Sequence, residues 1–325
     1  MAKTALITGI TGQDGQHLAE LLLSKGYETF GLVTGQRSSL NDVVVAKFPE
    51  VKLLRGDLAD FSSLLHVIDE TQPDEIYNLG ALSFVGLSFT QPELTANVTG
   101  LGILRILEAT RKLKLEHKTR IYQASSSEMF GKVRETPQSE LTPFHPRSPY
   151  GVAKAFAHHT CVQYRESYEM FIAAGILFNH EGENRGHEFV TRKISSNVAR
   201  IKLGKQKKFS LGNIYPSRDW GYAGDYVEAM WLMLQQDKPQ DYVIATGESH
   251  TVKDFVMEAL VVAGLEPDIE KYLDYDPAMI RPNEVDTLIG DASKAARELG
   301  WKPKVNFQAL VKIMVEHDLQ VEAER

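Results

Sequence analysis

The first residues restrict the fold most, because they combine a short strand, a glycine turn and a helix. Thr4–Thr8 is an apolar, β-branched run typical of a strand, and His17–Leu23 has helical spacing. Between them lies Gly9-Ile10-Thr11-Gly12-Gln13-Asp14-Gly15, whose glycines let a ligand approach the backbone closely. The helix that follows offers free N–H groups at its N-terminus. This arrangement predicts a site for the pyrophosphate of a dinucleotide.

Further strands alternate with helices along the chain. Strand patterns cover Glu28–Val33, Lys52–Leu58, Glu75–Ala81, Arg120–Ala124, Ile172–Phe178 and Asp241–Gly247, and helical patterns cover Ser62–Thr71, Pro92–Lys114, Val227–Leu234, Val252–Ala263 and Phe307–Leu319. Such alternation predicts an α/β fold with a parallel sheet covered on both faces. We expect a doubly wound Rossmann domain over residues 1–178, carrying the catalytic residues. A smaller mixed α/β substrate domain would cover 179–325, with about 215–250 returning to the first.

Composition excludes several classes of function. The net charge of −7 and the absence of a basic run argue against nucleic acid as a partner. No apolar stretch approaches the roughly 20 residues of a membrane span, and no signal-peptide pattern is present, so we expect a cytoplasmic protein. Cys161 is the only cysteine, which excludes an internal disulfide and a thiolate metal site. We therefore expect no metal and a packed thiol at Cys161.

A tyrosine and a lysine one helical turn apart follow the fifth strand. Tyr150 and Lys154 project from the same helix face, and an ammonium near a phenol lowers the pKa of the phenol. Tyr150 is therefore a candidate general base for a sugar or alcohol hydroxyl. Ser126 and Glu128 lie at the carboxyl end of the strand before it, where ligands of such sheets bind.

The end of the second strand bears on which dinucleotide binds. No acidic residue follows this strand to accept hydrogen bonds from a ribose 2′-hydroxyl. The chain reads Thr34-Gly35-Gln36-Arg37-Ser38 instead, with a cation and hydroxyls suited to a 2′-phosphate. The pattern favours NADP over NAD. Asp57, after the third strand, is placed to accept from an adenine amino group, and the small residues Gly80 and Ala81 let a cofactor lie close.

A locally basic segment within this acidic protein begins after the sixth strand. Its cations are Arg185, Arg192, Lys193, Arg200, Lys202, Lys205, Lys207 and Lys208. The diphosphate of a nucleotide sugar would use two or three such cations, and the others would lie on a solvated helix face.

Eight segments together resemble the GDP-mannose 4,6-dehydratase family over essentially the whole chain. They are Gly9–Gly15, Tyr77–Ala81, Gln123–Gly131, Pro146–Gly151, Gly175–Glu181, Phe189–Ile194, Arg218–Gly221 and Tyr226–Leu234. The resemblance implies an extended short-chain dehydrogenase fold with bound NADP. It also implies a lyase that converts GDP-mannose into the 4-keto-6-deoxy sugar and water, as a homodimer or homotetramer.

The resemblance also implies a catalytic set of Ser126, Glu128, Tyr150 and Lys154. Tyr150 would take the proton of the sugar 4-hydroxyl while C4 gives hydride to the cofactor. Glu128 would remove the C5 proton, and Ser126 with protonated Glu128 would help the C6 hydroxyl leave as water. Hydride would return to C6 and a proton to C5, so the net redox change is zero.

Ligand contacts carry over by position from the same resemblance. The expected NADP contacts are Gly9, Thr11, Gly12, Gln13, Asp14, Arg37, Ser38, Asp57, Leu58, Leu79, Ala81, Lys154, His180 and Arg185. The expected GDP-sugar contacts are Ser83, Glu128, Tyr150, Asn179, Val190, Lys193, Arg218, Arg281 and Glu284. Among these, Lys193, Arg218 and Arg281 are expected at the diphosphate or the ribose.

The chain departs from the family pattern at four places, which leaves more than one function open. Ser126 stands where Thr is usual, the loop after the second strand lacks a paired arginine, Gly182–Asn184 replace a Ser-Pro pair, and Ser217 replaces a frequent lysine. A related GDP-sugar such as a GDP-heptose could be the substrate in place of GDP-mannose. The chain could also be a GDP-4-keto-6-deoxymannose reductase or, in a different class, a non-catalytic NADP sensor.

Overall fold

The computed structural model describes residues 2–35, 38–279 and 287–325, which form fourteen strands and thirteen α-helices. The strands are β1 (Thr4–Thr8), β2 (Glu28–Val33), β3 (Lys52–Arg55), β4 (Glu75–Asn78), β5 (Arg120–Ser126), β6 (Ile172–Leu177), β7 (Asn179–Glu181), β8 (Phe209–Leu211), β9 (Ser217–Arg218), β10 (Trp220–Tyr222), β11 (Asp241–Ile244), β12 (His250–Thr251), β13 (Leu273–Tyr275) and β14 (Thr287–Leu288). The helices are α1 (Gln13–Ser24), α2 (Ser39–Lys47), α3 (Phe61–Thr71), α4 (Val85–Thr90), α5 (Pro92–Thr95), α6 (Leu101–Lys112), α7 (Pro149–Tyr168), α8 (Val190–Lys202), α9 (Ala223–Leu234), α10 (Val252–Val262), α11 (Ile269–Tyr272), α12 (Ser293–Glu298) and α13 (Phe307–Glu324).

Seven strands form one sheet in the order β11-β6-β5-β4-β1-β2-β3, and every neighbouring pair runs parallel. The chain moves outward from β1 through β2 and β3, and then crosses back to place β4 on the other side of β1. Strand order therefore reverses between β1 and β4, which is where open parallel sheets bind their ligands. The predicted doubly wound parallel sheet is confirmed.

Helices cover both faces of this sheet. On one face α1 packs with α9, and their apolar side chains join a core that includes Leu18 and Met230. On the other face α3, α6 and α7 share a core with Ile103 and Cys161. Cys161 is fully buried, as predicted, and burial raises the pKa of its thiol. Within the described ranges, none of the helices has the length and apolar character that crossing a membrane requires.

A third core lies beside the carboxyl ends of the sheet. Helices α8, α10 and α13 pack against one another around Phe255, Leu310 and Ile194. The small sheets β10-β7, β12-β9-β14 and β13-β8 border this core. The chain crosses between the two parts, because β11 joins the large sheet although β7 to β10 precede it.

Several elements end earlier than the sequence pattern predicts. The predicted strands Lys52–Leu58 and Glu75–Ala81 stop at Arg55 and Asn78. Farther along, main-chain N–H groups bond to side chains: the N–H of Ala59 donates to Oδ1 of Asp57, and that of Gly80 donates to Oγ1 of Thr8. The predicted helix Pro92–Lys114 is interrupted by a π turn at Ala96–Gly100.

Candidate active site

The glycine turn brings the backbone of β1 and α1 together so closely that side chains are excluded. Gly9 has a φ of +73°, and a Cβ there would lie 2.9 Å from the N of Gly80. A Cβ on Gly15 would lie 2.3 Å from the carbonyl O of Gly9. No side chain caps the N-terminus of α1, so its first N–H groups stay available to a ligand. This is a cradle that fits the pyrophosphate of a dinucleotide.

Buried polar side chains tie together the ends of β1, β4 and β5 below the cradle. Oγ1 of Thr8 donates to Oδ1 of Asn78 at 2.7 Å, and Nδ2 of Asn78 donates to Oε1 of Gln123 at 2.7 Å. All three residues are buried. Because each of these side chains is hydrogen bonded to the next, the floor of the crevice is fixed across three strands.

The predicted catalytic side chains lie where β5 ends and α7 begins. Ser148 caps α7, its Oγ accepting from the N–H of Gly151 at 3.0 Å, and Tyr150 and Lys154 lie in the first turns behind it. A Cβ on Gly151 would lie 2.7 Å from the carbonyl O of Glu128, so α7 can approach Glu128 only because residue 151 is glycine. The N–H of Glu128 donates to Oγ of Ser126 at 3.2 Å.

The expectation that Lys154 lowers the pKa of Tyr150 is not met in this structure. Burial raises the pKa of Tyr150, and the hydrogen bond with Ser126 offsets only part of that effect. Nζ of Lys154 instead donates to the carbonyl O of Ala124 at 2.6 Å and lies 5.7 Å from the centre of the Tyr150 ring. Burial lowers the pKa of Lys154 to about 8. Burial therefore favours the neutral phenol.

A cavity of about 790 Å³ joins the cradle to these side chains. It brings together most of the predicted site residues: Gly9, Thr11, Gly12, Gln13, Asp14, Leu79, Ala81, Ser83, Ser126, Glu128, Tyr150, Lys154, Asn179, His180, Arg185, Val190, Lys193 and Arg218. The glycine turn, the strand ends and the start of α8 therefore face one space.

Three predicted cofactor residues do not line this cavity. Oγ of Ser38 accepts from the N–H of Asn41 and caps α2. Asp57 bonds to the N–H of Ala59, and Leu58 is a buried core residue whose carbonyl O accepts from Arg105. The predicted ligand residues Arg37, Arg281 and Glu284 lie outside the described residues.

Asp14 and His180 form a partly buried pair beside the cradle. Nε2 of His180 lies 2.8 Å from Oδ2 of Asp14, and its Nδ1 lies 2.8 Å from the carbonyl O of Phe178. A carbonyl and an ionised carboxylate only accept, so both ring nitrogens donate and His180 is an imidazolium. Burial alone would lower the pKa of His180, but Asp14 outweighs it and the pKa is raised. Burial alone would raise the pKa of Asp14, but His180 outweighs it and the pKa lies below its usual range.

The basic segment divides into cations that face the cavity and cations that bond elsewhere. Arg185 and Lys193 line the cavity. Nε of Arg185 lies 2.9 Å from Oε2 of Glu181, and Nζ of Lys193 lies 3.1 Å from Sδ of Met279. Away from the cavity, Lys205 pairs with Glu322, Lys208 with Asp274 and Arg192 with Asp318.

Sequence reasoning missed the residues that hold this segment in place. Oγ1 of Thr191 donates to Oε2 of Glu181 at 2.6 Å, and the Arg192–Asp318 pair is buried. One signal was available, since Asp318 and Glu322 continue the apolar stripe of α13 that includes Val311. An acid on the buried face of a helix needs a partner.

The fold and the cavity define an extended short-chain dehydrogenase of the kind that modifies nucleotide sugars. The structure of a UDP-glucose 4-epimerase from Thermus thermophilus in complex with NAD superposes with a TM-score of 0.83 at 28% identity, covering 97% of this chain and 98% of that one. A dTDP-glucose 4,6-dehydratase structure from Bacillus anthracis with NAD superposes with a TM-score of 0.84 at 22% identity, covering 99% and 98%.

Within that class, the chain belongs to the GDP-mannose 4,6-dehydratase family. The family model of that description matches residues 6–314. GDP-mannose 4,6 dehydratase 1 of Arabidopsis thaliana is 54% identical, covering 98% of this chain and 90% of the relative. GDP-mannose 4,6 dehydratase of Homo sapiens is 49% identical, covering 98% and 91%. The resemblance in the eight sequence segments is thereby confirmed.

Proposed function

We propose that this chain dehydrates GDP-mannose to GDP-4-keto-6-deoxymannose. One observation carries the proposal: the same cavity is lined by the glycine cradle, by Glu128 and Tyr150, and by the cations Lys193 and Arg218. A dinucleotide and a nucleotide sugar can therefore meet at the reacting groups. Family membership gives the substrate class.

NADP is the proposed cofactor. The residues fit such a group, because the N-terminus of α1 has no side-chain cap and its first residues, Gln13 and Asp14, line the cavity. When bound, it supplies the acceptor for hydride from C4 of the sugar and the donor of that hydride to C6. Gly9, Thr11, Gly12 and Gln13 would hold it at the cradle, with Asp14, Leu79, Ala81, Lys154, His180 and Arg185 around it. The preference for NADP over NAD rests on Arg37 and Ser38 in the sequence.

Tyr150 is the proposed base at the 4-hydroxyl. Its phenol hydrogen bonds with Ser126 and lies one turn from the Lys154 ammonium. Because burial raises the pKa of Tyr150, forming the phenolate requires help from a nearby cation. Lys154 is suited to that help, because its own hydrogen bond to Ala124 fixes it near the ring.

Glu128 and Ser126 are the proposed residues for water loss. Once C4 is a ketone, the C5 proton is acidic enough for the Glu128 carboxylate to remove it. The protonated carboxyl then gives that proton to the departing C6 hydroxyl, and the hydroxyl of Ser126 hydrogen bonds to the same oxygen. In the last step C5 gains a proton that replaces the one Tyr150 took from the 4-hydroxyl, and Tyr150 gives its own up, so hydrogen, oxygen and charge balance as one water is released.

The sugar-nucleotide side consists of Ser83, Asn179, Val190, Lys193 and Arg218, with Arg281 and Glu284 from the sequence. The departures at Gly182–Asn184 and Ser217 do not line the cavity. Glu183 turns instead toward His17, at 3.8 Å. Family membership therefore remains the reason for proposing mannose over a heptose. We place the dinucleotide part at 1–178 and the sugar-nucleotide part mainly at 179–325, in a homodimer or homotetramer.

Turnover of purified protein tests the proposal. GDP-mannose should give a 4-keto product without net formation of NADPH, and a panel of GDP-heptoses should react more slowly. Tyr150→Phe should stop the first oxidation. Glu128→Gln should permit that oxidation and stop water release, so that reduced cofactor accumulates on the enzyme. A fully active Glu128→Gln variant would contradict the role given to Glu128, and inactivity of the wild type on every GDP-sugar would contradict the function.

A further inference from the structure

A buried ion pair outside the reacting groups joins α8 to α13. Nη2 of Arg192 lies 2.9 Å from Oδ1 of Asp318, and both side chains are more than nine-tenths buried. Oγ of Ser195 donates to the other Asp318 oxygen at 2.5 Å. Burying two charges costs free energy that apolar residues of similar volume would avoid. Stability alone therefore gives little reason for this pair.

The guanidinium of Arg192 also holds the loop that carries Arg185 into the cavity. Nη1 of Arg192 donates to the carbonyl O of Glu183 and, at 3.3 Å, to the carbonyl O of Arg185. These are main-chain atoms of residues 182–189, which connect β7 to α8. The planar guanidinium of an arginine has several N–H donors, so it can bind the loop and the carboxylate of Asp318 at the same time. A lysine ammonium cannot do this with the same geometry. Asp318 fixes the orientation of the Arg192 guanidinium.

The opposite side of the same helical turn faces the sugar-nucleotide end of the cavity. Val190 and Lys193 line the cavity on either side of Arg192. Thr191 binds Glu181, which in turn pairs with Arg185. One turn of helix thus contacts the loop on the cofactor side and presents a cation on the sugar-nucleotide side.

We propose that Arg192 and Asp318 are positioning residues that set the affinity for both ligands. They hold the 182–189 loop and the first turn of α8 in one arrangement, which places Arg185 and Lys193 together. The inference rests on the proposed function for the identity of the ligands. Neither residue touches the reacting atoms, so loss of the pair should weaken binding of the dinucleotide and of the GDP-sugar while kcat at saturation changes little.

Direct binding to the full chain, alongside turnover, tests this. Calorimetric titrations with NADP⁺ and with GDP would be made on the wild type, Arg192→Lys, Asp318→Asn and the double variant Arg192→Met/Asp318→Leu. The double variant removes both charges together, so it should fold even where a single variant leaves an unpaired charge. Val198→Ala is the matched control, because Val198 is a buried core residue of the same helix. It lowers the unfolding temperature without touching the loop.

We expect both dissociation constants to rise at least about tenfold in the Arg192 and Asp318 variants, since small misplacements of binding groups are costly. Val198→Ala should leave both dissociation constants within about twofold of the wild-type values, although its unfolding temperature falls by an amount comparable to that in the Arg192 and Asp318 variants. If the double variant folds and binds both ligands as the wild type does, the positioning role is wrong. If the wild type binds neither ligand, the proposed function fails instead, and the two failures are distinguishable.

Discussion

Replacing Asp14 with Asn should remove the decline of stability above about pH 6.5 that His180 causes, and should introduce a decline below that pH. The carboxylate of Asp14 keeps His180 protonated, and the ring has no other anionic partner among its described hydrogen-bond contacts. Arg185, the other charged group acting on the ring, lowers the pKa of His180. Without Asp14, burial and Arg185 both favour the neutral imidazole, and His180 should lose its proton below neutral pH.

The size of the effect depends on the partial burial of the pair, whose side chains are 11% and 21% exposed. Removing one member of a buried ion pair costs about 3–5 kcal/mol when the other charge must stay. His180 can release its proton instead, so the cost approaches that of a hydrogen bond between charged groups, about 1.5–3 kcal/mol. We expect a loss in this lower range near pH 6.

The direction in which stability changes with pH follows from the directions in which the pKa values of His180 and Asp14 are shifted. The pKa of His180 is raised, so its contribution is complete below the unfolded value near 6.5 and is lost as pH rises through the folded value. The pKa of Asp14 is lowered, so its contribution is lost only in strong acid. The stability of the wild type should therefore contain a decline above about pH 6.5 that Asp14→Asn lacks.

Urea unfolding between pH 5.5 and 9 would measure this difference. Asp225→Asn is a suitable control, because Oδ2 of Asp225 accepts from the main-chain N–H groups of Lys304 and Val305, which do not titrate. That variant should lose stability equally across the range. If Asp14→Asn and the wild type show parallel stability curves from pH 6 to 9, the assignment of His180 as an imidazolium is refuted.

Three glycine substitutions should separate cofactor binding from catalysis. Gly15→Ala should cost about 1–3 kcal/mol of stability and weaken NADP⁺ binding in a fluorescence titration, because its Cβ meets main-chain atoms of the cradle. Gly26→Ala, at a positive φ but with nothing within 4 Å of its Cβ, should cost about 1 kcal/mol and leave binding unchanged. Gly151→Ala should displace Glu128 and lower kcat on the order of 100-fold in steady-state assays, with NADP⁺ affinity retained. Equal binding by Gly15→Ala and wild type, or full activity of Gly151→Ala, would contradict these expectations.

The part of the fold that sequence predicts best is the part made of local patterns. Thr4–Thr8, the glycine turn and the following helix are local, and the structure reproduces them. The ends of β3 and β4 are predicted wrongly, since Leu58 and Leu79 are apolar and continue the strand pattern although the backbone has already left the sheet. The periodicity of apolar residues indicates which side chains are buried. It does not indicate which main-chain N–H and C=O groups form the hydrogen bonds of the sheet.

Contacts between distant segments lie beyond what the sequence patterns can predict. Ser195 and Asp318 are 123 positions apart, and only folding brings α8 against α13. The same holds for Asp14 and His180, which the resemblance assigns to the cofactor separately but which bond to each other. The orientation of Lys154 toward Ala124 likewise depends on how α7 sits on β5.

The lone sulfhydryl lies on the buried face of α7, which leaves the folded surface of the chain without a reactive thiol. Burial raises the pKa of Cys161, so thiolate-directed reagents find no nucleophile on the folded surface. A cysteine introduced at Leu141, which is 91% exposed, would be the one site that a maleimide dye can modify. Site-specific fluorophores and spin labels can therefore be attached without first stripping the native residue from the core.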